Sequence, residues 1–139
     1  MLETSALTDI DYVSATMHSC INLGVDFALD DFGTGYSSLT HLRRLPAGLI
    51  KIDQSFVMDM LVDPDDLSIV EGVISLARSF KHRVIAEGVE TIEHGIALLD
   101  IGCELAQGYG IARPMPASNI PDWLKEWRPD LAWSNHEIK

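Results

Sequence analysis

Apolar residues first recur at helical spacing. Leu7, Ile10, Val13, Met17 and Ile21 share one face of a predicted helix over residues 5–23, which Gly24 ends. The period then shortens. Val25-Asp26-Phe27-Ala28-Leu29 reads as a strand running straight into two acids and a glycine-containing turn, Asp30-Asp31-Phe32-Gly33-Thr34-Gly35. Residues 38–45 form a short helix closed by Pro46, and Leu49-Ile50-Lys51-Ile52-Asp53 is a second strand, again ending in an acid. Leu67, Val70, Val73, Ile74, Ala77 and Phe80 give a broad apolar face to a helix over 66–80, with Asp65 or Asp66 as its N-cap. Arg83-Val84-Ile85-Ala86 is a third strand, delivered into Glu87-Gly88-Val89-Glu90. A helix over 91–100 follows, ended by Gly102, and Leu105 to Arg113 is a fourth strand interrupted by Gly108 and Gly110. Asn119 caps a last helix with Pro121 in its first turn and Ile120, Leu124 and Trp127 facing inward. Beyond Arg128 the periodicity stops, which predicts a frayed tail over 128–139.

Strands alternating with helices predict parallel βαβ units. Three of the four strands bring carboxylates to their C-terminal ends, the face on which (β/α)8 barrels carry their catalytic groups. A closed barrel takes about 250 residues, and this chain supplies about half the units. The expectation is an α/β fold: half a barrel, with two strand edges and an apolar inner face left open to aggregation or pairing.

Composition narrows the function. With 139 residues, 47% hydrophobic and 22% charged, the chain has the length and balance of one folded domain. Ten basic residues against 21 acidic ones give a net charge of −11, which repels a phosphate backbone and argues against a nucleic-acid polymer as partner, though not against a phosphate ligand screened by metal. No apolar run approaches the ~18 residues that span a bilayer, and the N-terminal residues lack the basic-then-apolar order of a secretory signal. Cys20 and Cys103 form no Cys-x-x-Cys pair, which fits a reducing compartment without a structural zinc. The expected setting is cytoplasmic, without direct membrane insertion.

The strongest chemical feature is the pair Asp30-Asp31. Neighbouring side chains on extended backbone point to opposite sides, so the two acids converge only if the chain kinks, which Gly33 and Gly35 allow. Converged, they suit a hard divalent cation such as Mg²⁺; unconverged, they are an Asx-type turn with solvated acids. Lys51 and Asp53 share one strand face, where a buried lysine beside acids can hold a phosphate oxygen or an attacking water; an edge strand with two exposed charges is the alternative. Glu87 is placed as a metal ligand or general base, whereas Glu90 is equally suited to the N-terminus of the next helix. Nothing in the composition separates Gln107 from a structural amide. His18, His41, His82, His94 and His136 show no metal spacing; His18 is placed on a helix and the others in surface segments or the tail. Ser37 and Ser38 lack a nucleophile elbow, and Trp123 and Trp127 read as helix packing.

Four segments together resemble the signatures of the EAL domain: Asp30-Asp31-Phe32-Gly33-Thr34-Gly35-Tyr36-Ser37-Ser38-Leu39, Lys51-Ile52-Asp53-Gln54-Ser55-Phe56-Val57, Ala86-Glu87-Gly88-Val89-Glu90-Thr91 and Gln107-Gly108-Tyr109. They occur in the family's order and near its spacing, from about Leu2 to Trp127. The resemblance implies the C-terminal half of a modified TIM barrel over residues 1–127, followed by the 128–139 tail. It also implies a cyclic di-GMP phosphodiesterase using two Mg²⁺ or Mn²⁺ ions to open the ring to linear pGpG. On this basis Asp30 bridges the metals and Asp31 completes the second site. Glu87 is ligand or base, Lys51 contacts the attacked phosphate or its water, and Asp53 orders that neighbourhood. Glu90 and Gln107 line the site, and Arg113-Pro114-Met115-Pro116 lies near a guanine. Phe32, Gly33, Thr34, Gly35, Tyr36, Ser37 and Ser38 form a mobile regulatory loop, anchored by Glu3, that couples dimer contacts to metal binding. A homodimer of the complete domain, upstream sensory or GGDEF-type domains and a possible membrane anchor through those segments belong to the same picture.

The resemblance also implies groups this chain does not carry: the Glu-x-Leu motif of an early strand, an Asn from a later one, and a Glu three positions ahead of Glu3. The chain starts inside what the family makes a strand motif, so the expectation is a C-terminal fragment that is inactive alone. Two other readings stand beside it. One is a non-catalytic EAL-like module that binds cyclic di-GMP or a protein, against which the retained acids weigh. The other is a different metal-dependent barrel enzyme such as a lyase, with no affinity for cyclic di-GMP.

Overall fold

A computed structural model describes residues 3–34 and 39–136, with side chains from residue 9 onward. Four parallel strands, β1 (Ala28–Phe32), β2 (Leu49–Ile52), β3 (Arg83–Glu87) and β4 (Leu105–Gln107), lie in the order β1-β2-β3-β4. Among the described residues, seven α-helices flank and connect them: α1 (Glu3–Ile21), α2 (Leu39–Arg44), α3 (Gln54–Asp59), α4 (Pro64–Ser79), α5 (Ile92–Asp100), α6 (Ile120–Glu126) and α7 (Leu131–Ser134). A sequential parallel order with a helix in every crossover is the arrangement of one continuous stretch of a (β/α) barrel wall. Among the described residues, no strand pairs with the outer edges of β1 or β4.

The core lies between the sheet and α3, α4 and α5. Alternate residues of the strands, Leu29, Ile50, Ile52 and Ala86, meet Val57, Met60, Val70, Val73, Ile74, Ala77 and Leu98, all buried. The other sheet face, expected to be apolar, is mixed: Asp30, Lys51, Arg83, Glu87 and Gln107 stand among Leu49, Ile85 and Leu105. Both cysteines are free thiols, and burial pushes the Cys103 thiol up from its ordinary value.

Several elements differ from their expected form. β1 starts at Ala28, so Asp30 and Asp31 lie within the strand and not after it. The helix α4 is capped by Asp63, whose carboxylate accepts from the Asp65 amide, with Pro64 in the first turn; Asp65 and Asp66 instead supply negative charge to that turn. In α1 only Met17 of the described apolar face is buried, and Val13 and Ile21 remain exposed. That helix is held against α2 by polar groups, Ser14 donating to the Arg44 carbonyl and Arg44 pairing with Asp11 at 2.7 Å. Its backbone is already helical at Glu3, where a strand motif was expected.

β4 stops at Gln107 because the chain turns there: Gly110 donates to the Val89 carbonyl and Ile111 to that of Gly108. Asn119 precedes α6 without capping it through its side chain, and Ile120 and Leu124 are exposed. The tail is not frayed at 131–134. The Trp133 indole packs on Gly95 of α5 and donates to the Ile92 carbonyl at 2.9 Å, and His136 Nε2 lies 3.3 Å from Asp100 Oδ1.

Candidate active site

Parallel strands deliver their C-terminal residues to one rim, and here the rim carries the charges. Register pairs Glu87 with Gln107 and Lys51 with Ile85, two residues before Glu87 on the same face. The Lys51 side chain reaches both Asp30 and Glu87, so the four residues Asp30, Lys51, Glu87 and Gln107 gather across the four strands. A cleft of about 590 Å³ opens above them. Asp30, Asp31, Asp53, Glu87, Glu90 and Gln107 line it, and Tyr109, Arg113 and Pro114 line it as well.

The two neighbouring aspartates converge through a kink to which Gly33, as expected, contributes with φ +107°. The β1–β2 register slips between Leu29 and Phe32, and Asp31 itself adopts φ +51°. A non-glycine residue in this region costs about 1–2 kcal/mol, which Asp tolerates better than most. The turn is secured locally, with the Asp31 amide donating to Asp30 Oδ1 at 3.0 Å and Thr34 donating to the Asp31 carbonyl. As a result Asp30, Asp31 and Glu87 each offer a ligand oxygen, all within 4.8 Å of one another. Three carboxylates with no soft donor fit a hard divalent cation.

Lys51 is the counter-charge inside this group. Its ammonium lies 2.6 Å from Glu87 Oε1 and 3.0 Å from Asp30 Oδ1, with the lysine side chain 22% exposed and that of Glu87 16%. The bond to Glu87, partly opposed by burial and reinforced by Asp30, raises the Lys51 pKa; the bond from Lys51 lowers that of Asp30. The sign follows for both. The Asp30 contribution is present above the ordinary carboxylate pKa and is lost as pH falls through its lowered value. The Lys51 contribution is present below the ordinary lysine pKa and is lost as pH rises through its raised value.

Asp53 does not share the strand face with Lys51, because β2 ends at Ile52. Asp53 caps α3 instead, accepting from the Ser55 amide at 2.9 Å and from the Ser55 hydroxyl, while still facing the cleft. Glu90 stands at the lip, and Thr91, not Glu90, caps α5 through the His94 amide. His94 was expected at the surface and is buried: its Nδ1 accepts from the Glu90 amide at 3.4 Å and its Nε2 lies 3.1 Å from the Met58 carbonyl. It ties the Glu87–Glu90 segment to α3. Its place four residues after Glu90, at the start of a capped helix, was the available signal.

Two glycines set the floor of the cleft. Gly88 has φ +79° and lies against Gln54, and a Cβ at Gly108 would stand 2.2 Å from the Val89 carbonyl oxygen. Arg113 packs over the Tyr109 ring at 4.6 Å, which presents a cation and an aromatic surface at one wall. Gly35, Tyr36, Ser37, Ser38 and the Glu3 side chain, expected to form and anchor the regulatory loop, lie outside the described residues. No helix among the described residues is long and apolar enough to cross a membrane.

The family model described as the EAL domain matches residues 1–114. A cyclic di-GMP phosphodiesterase of Pseudomonas aeruginosa, NbdA, is 40% identical over 130 residues, covering 94% of this chain and 17% of the relative. The crystal structure of the EAL domain of Mycobacterium smegmatis DcpA matches with a TM-score of 0.81 at 43% identity, covering 88% of this chain and 55% of that one. A manganese and cyclic di-GMP complex of Klebsiella pneumoniae BlrP1 matches at 38% identity and a TM-score of 0.60, over 66% of this chain and 23% of that one. The chain thus spans about half of the solved DcpA domain and a small part of NbdA. With the four motifs, the parallel half-barrel sheet and the matches in agreement, the chain belongs to the EAL domain family.

Proposed function

We propose that the rim cleft is the cyclic di-GMP site of a phosphodiesterase domain that opens the ring to linear pGpG with two divalent cations, Mg²⁺ or Mn²⁺. The observation that carries this reading is the convergence of Asp30, Asp31 and Glu87 beneath a cleft of small-ligand size. NbdA is named a cyclic di-GMP phosphodiesterase, and BlrP1 is known with manganese and cyclic di-GMP. Electrostatics points the same way. Five lining side chains are carboxylates (Asp30, Asp31, Asp53, Glu87 and Glu90) against one lining cation, Arg113, so an anionic phosphodiester enters only if cations invert the local sign.

Asp30, Asp31 and Glu87 would hold the cations. When bound, these neutralise the phosphodiester, acidify a water and stabilise the leaving oxygen. In this reading Glu87 would orient that water or take its proton, and Lys51 would contact the attacked phosphate. Asp53 keeps α3 in register with the rim, Glu90 and Gln107 support the polar network, and Arg113 with Pro114 meets the base end of the substrate.

Three clustered acids are few ligands for two cations, so the 139-residue chain by itself is expected to be inactive. Incubated with Mn²⁺ and cyclic di-GMP, it should form no pGpG by liquid chromatography. Steady, EDTA-sensitive pGpG formation would overturn the expected inactivity.

A further inference from the structure

The carboxylate cluster already contains a positive charge, and it lies where a bound cation would have to sit. Lys51 Nζ is 3.0 Å from Asp30 and 2.6 Å from Glu87, two of the three residues whose ligand oxygens converge within 4.8 Å. A hard divalent cation binds carboxylate oxygens at about 2.1 Å, so an ion shared by Asp30 and Glu87 falls within roughly 4 Å of the ammonium as it now stands. Two positive centres that close repel strongly in a partly buried site, and they compete for the same two carboxylates.

From this we propose that Lys51 and a divalent cation are alternative occupants of the space between Asp30 and Glu87. Cation loading drives the ammonium off these carboxylates and into the cleft. The inference rests on reading the cluster as a cation site and adds a role for Lys51 before any substrate arrives. Without a cation, the ammonium offsets the repulsion among three crowded acids and holds them in place. With one, the freed side chain moves to where the substrate phosphate is to lie. Its stem is fixed on β2, between β1 and β3, so the change is one of side-chain rotamer and leaves the sheet in register. Loading the site and arming its phosphate-binding group thereby become one event, and Lys51 raises the cation concentration at which it happens.

The test uses the full 139-residue chain without substrate. Mn²⁺ binding is read from the loss of the free-ion electron paramagnetic resonance signal, for wild type and Lys51→Met. In parallel, wild-type acylation by acetic anhydride is quantified at Lys51 against exposed Lys81 by peptide mass spectrometry. The expected results are Mn²⁺ affinity about tenfold higher in Lys51→Met, and Lys51 labelling that rises several-fold at saturating Mn²⁺ while Lys81 stays constant. Mn²⁺ binding that leaves Lys51 labelling unchanged overturns the exchange and spares the cation site, and so does unaltered affinity in a folded Lys51→Met. Failure of Mn²⁺ to bind either protein overturns the cation-site reading and this inference with it.

Discussion

Replacing Gly108 with Ala is expected to cost about 3 kcal/mol of stability, at the upper end of what overpacking one methyl costs. The added Cβ would meet the Val89 carbonyl oxygen at 2.2 Å, its amide nitrogen at 2.4 Å and its carbonyl carbon at 2.7 Å. These are backbone atoms and cannot rotate away as a side-chain end does. Relief requires β4 and the segment after β3 to separate, which breaks the bonds from the Val89 amide to the Gln107 carbonyl (3.1 Å) and from the Gly110 amide to the Val89 carbonyl (2.9 Å). Because those bonds hold the Glu87 and Gln107 ends together, the variant should also lose Mn²⁺ affinity. Gly72, inside α4 with open space for 4 Å around the position of an added methyl, is the contrast: Gly72→Ala should stabilise by about 0.5–1 kcal/mol through helix propensity. Urea denaturation of both variants checks the pair, and equal midpoints would contradict the packing described for Gly108.

The second large effect is expected at Asp31. Asparagine tolerates the same positive φ, so Asp31→Asn removes one ligand charge while leaving the turn in place. Mn²⁺ affinity should fall about a hundredfold, at or beyond the upper end of what removing a group that supports a metal ligand costs. Stability without metal should hold or rise, because one of three mutually repelling carboxylates has gone. That opposition of signs separates a cation site from a structural turn, in which losing the acid would leave Mn²⁺ binding untouched. Isothermal titration of Mn²⁺ and thermal melts in EDTA measure the two quantities.

The carboxylates at the strand ends were legible because parallel strands put their C-terminal residues on one rim whatever the detailed packing. Asp30, Lys51, Glu87 and Gln107 therefore come together as their positions predict. The kink was harder to read. Its cause includes a slip in pairing against β2, a non-local event: Gly33 does take a positive φ, as the local glycine content suggested, but Asp31 takes one too, which no local pattern announced. Helix α3 was missed because six residues, Gln54–Asp59, are too few to show a period, though Asp53 followed by Ser55 is a capping pattern. The C-terminal turn α7 depends on one indole finding the flat space above Gly95, a fit that no periodicity within residues 128–139 announces. His94 was misplaced for a related reason: burial of its ring depends on α3 supplying the Met58 carbonyl from 36 residues away.

The central claim is that this rim hydrolyses cyclic di-GMP when cations are bound. It is tested most directly by completing the domain with the N-terminal half of the Mycobacterium smegmatis DcpA EAL domain, to which this chain is 43% identical where they overlap, and measuring pGpG formation against Mn²⁺ concentration. The account predicts no product in EDTA, saturable turnover as Mn²⁺ rises, and its loss in Asp31→Asn. A folded, Mn²⁺-binding domain that leaves cyclic di-GMP intact, or one that cleaves it equally well in EDTA, would contradict it.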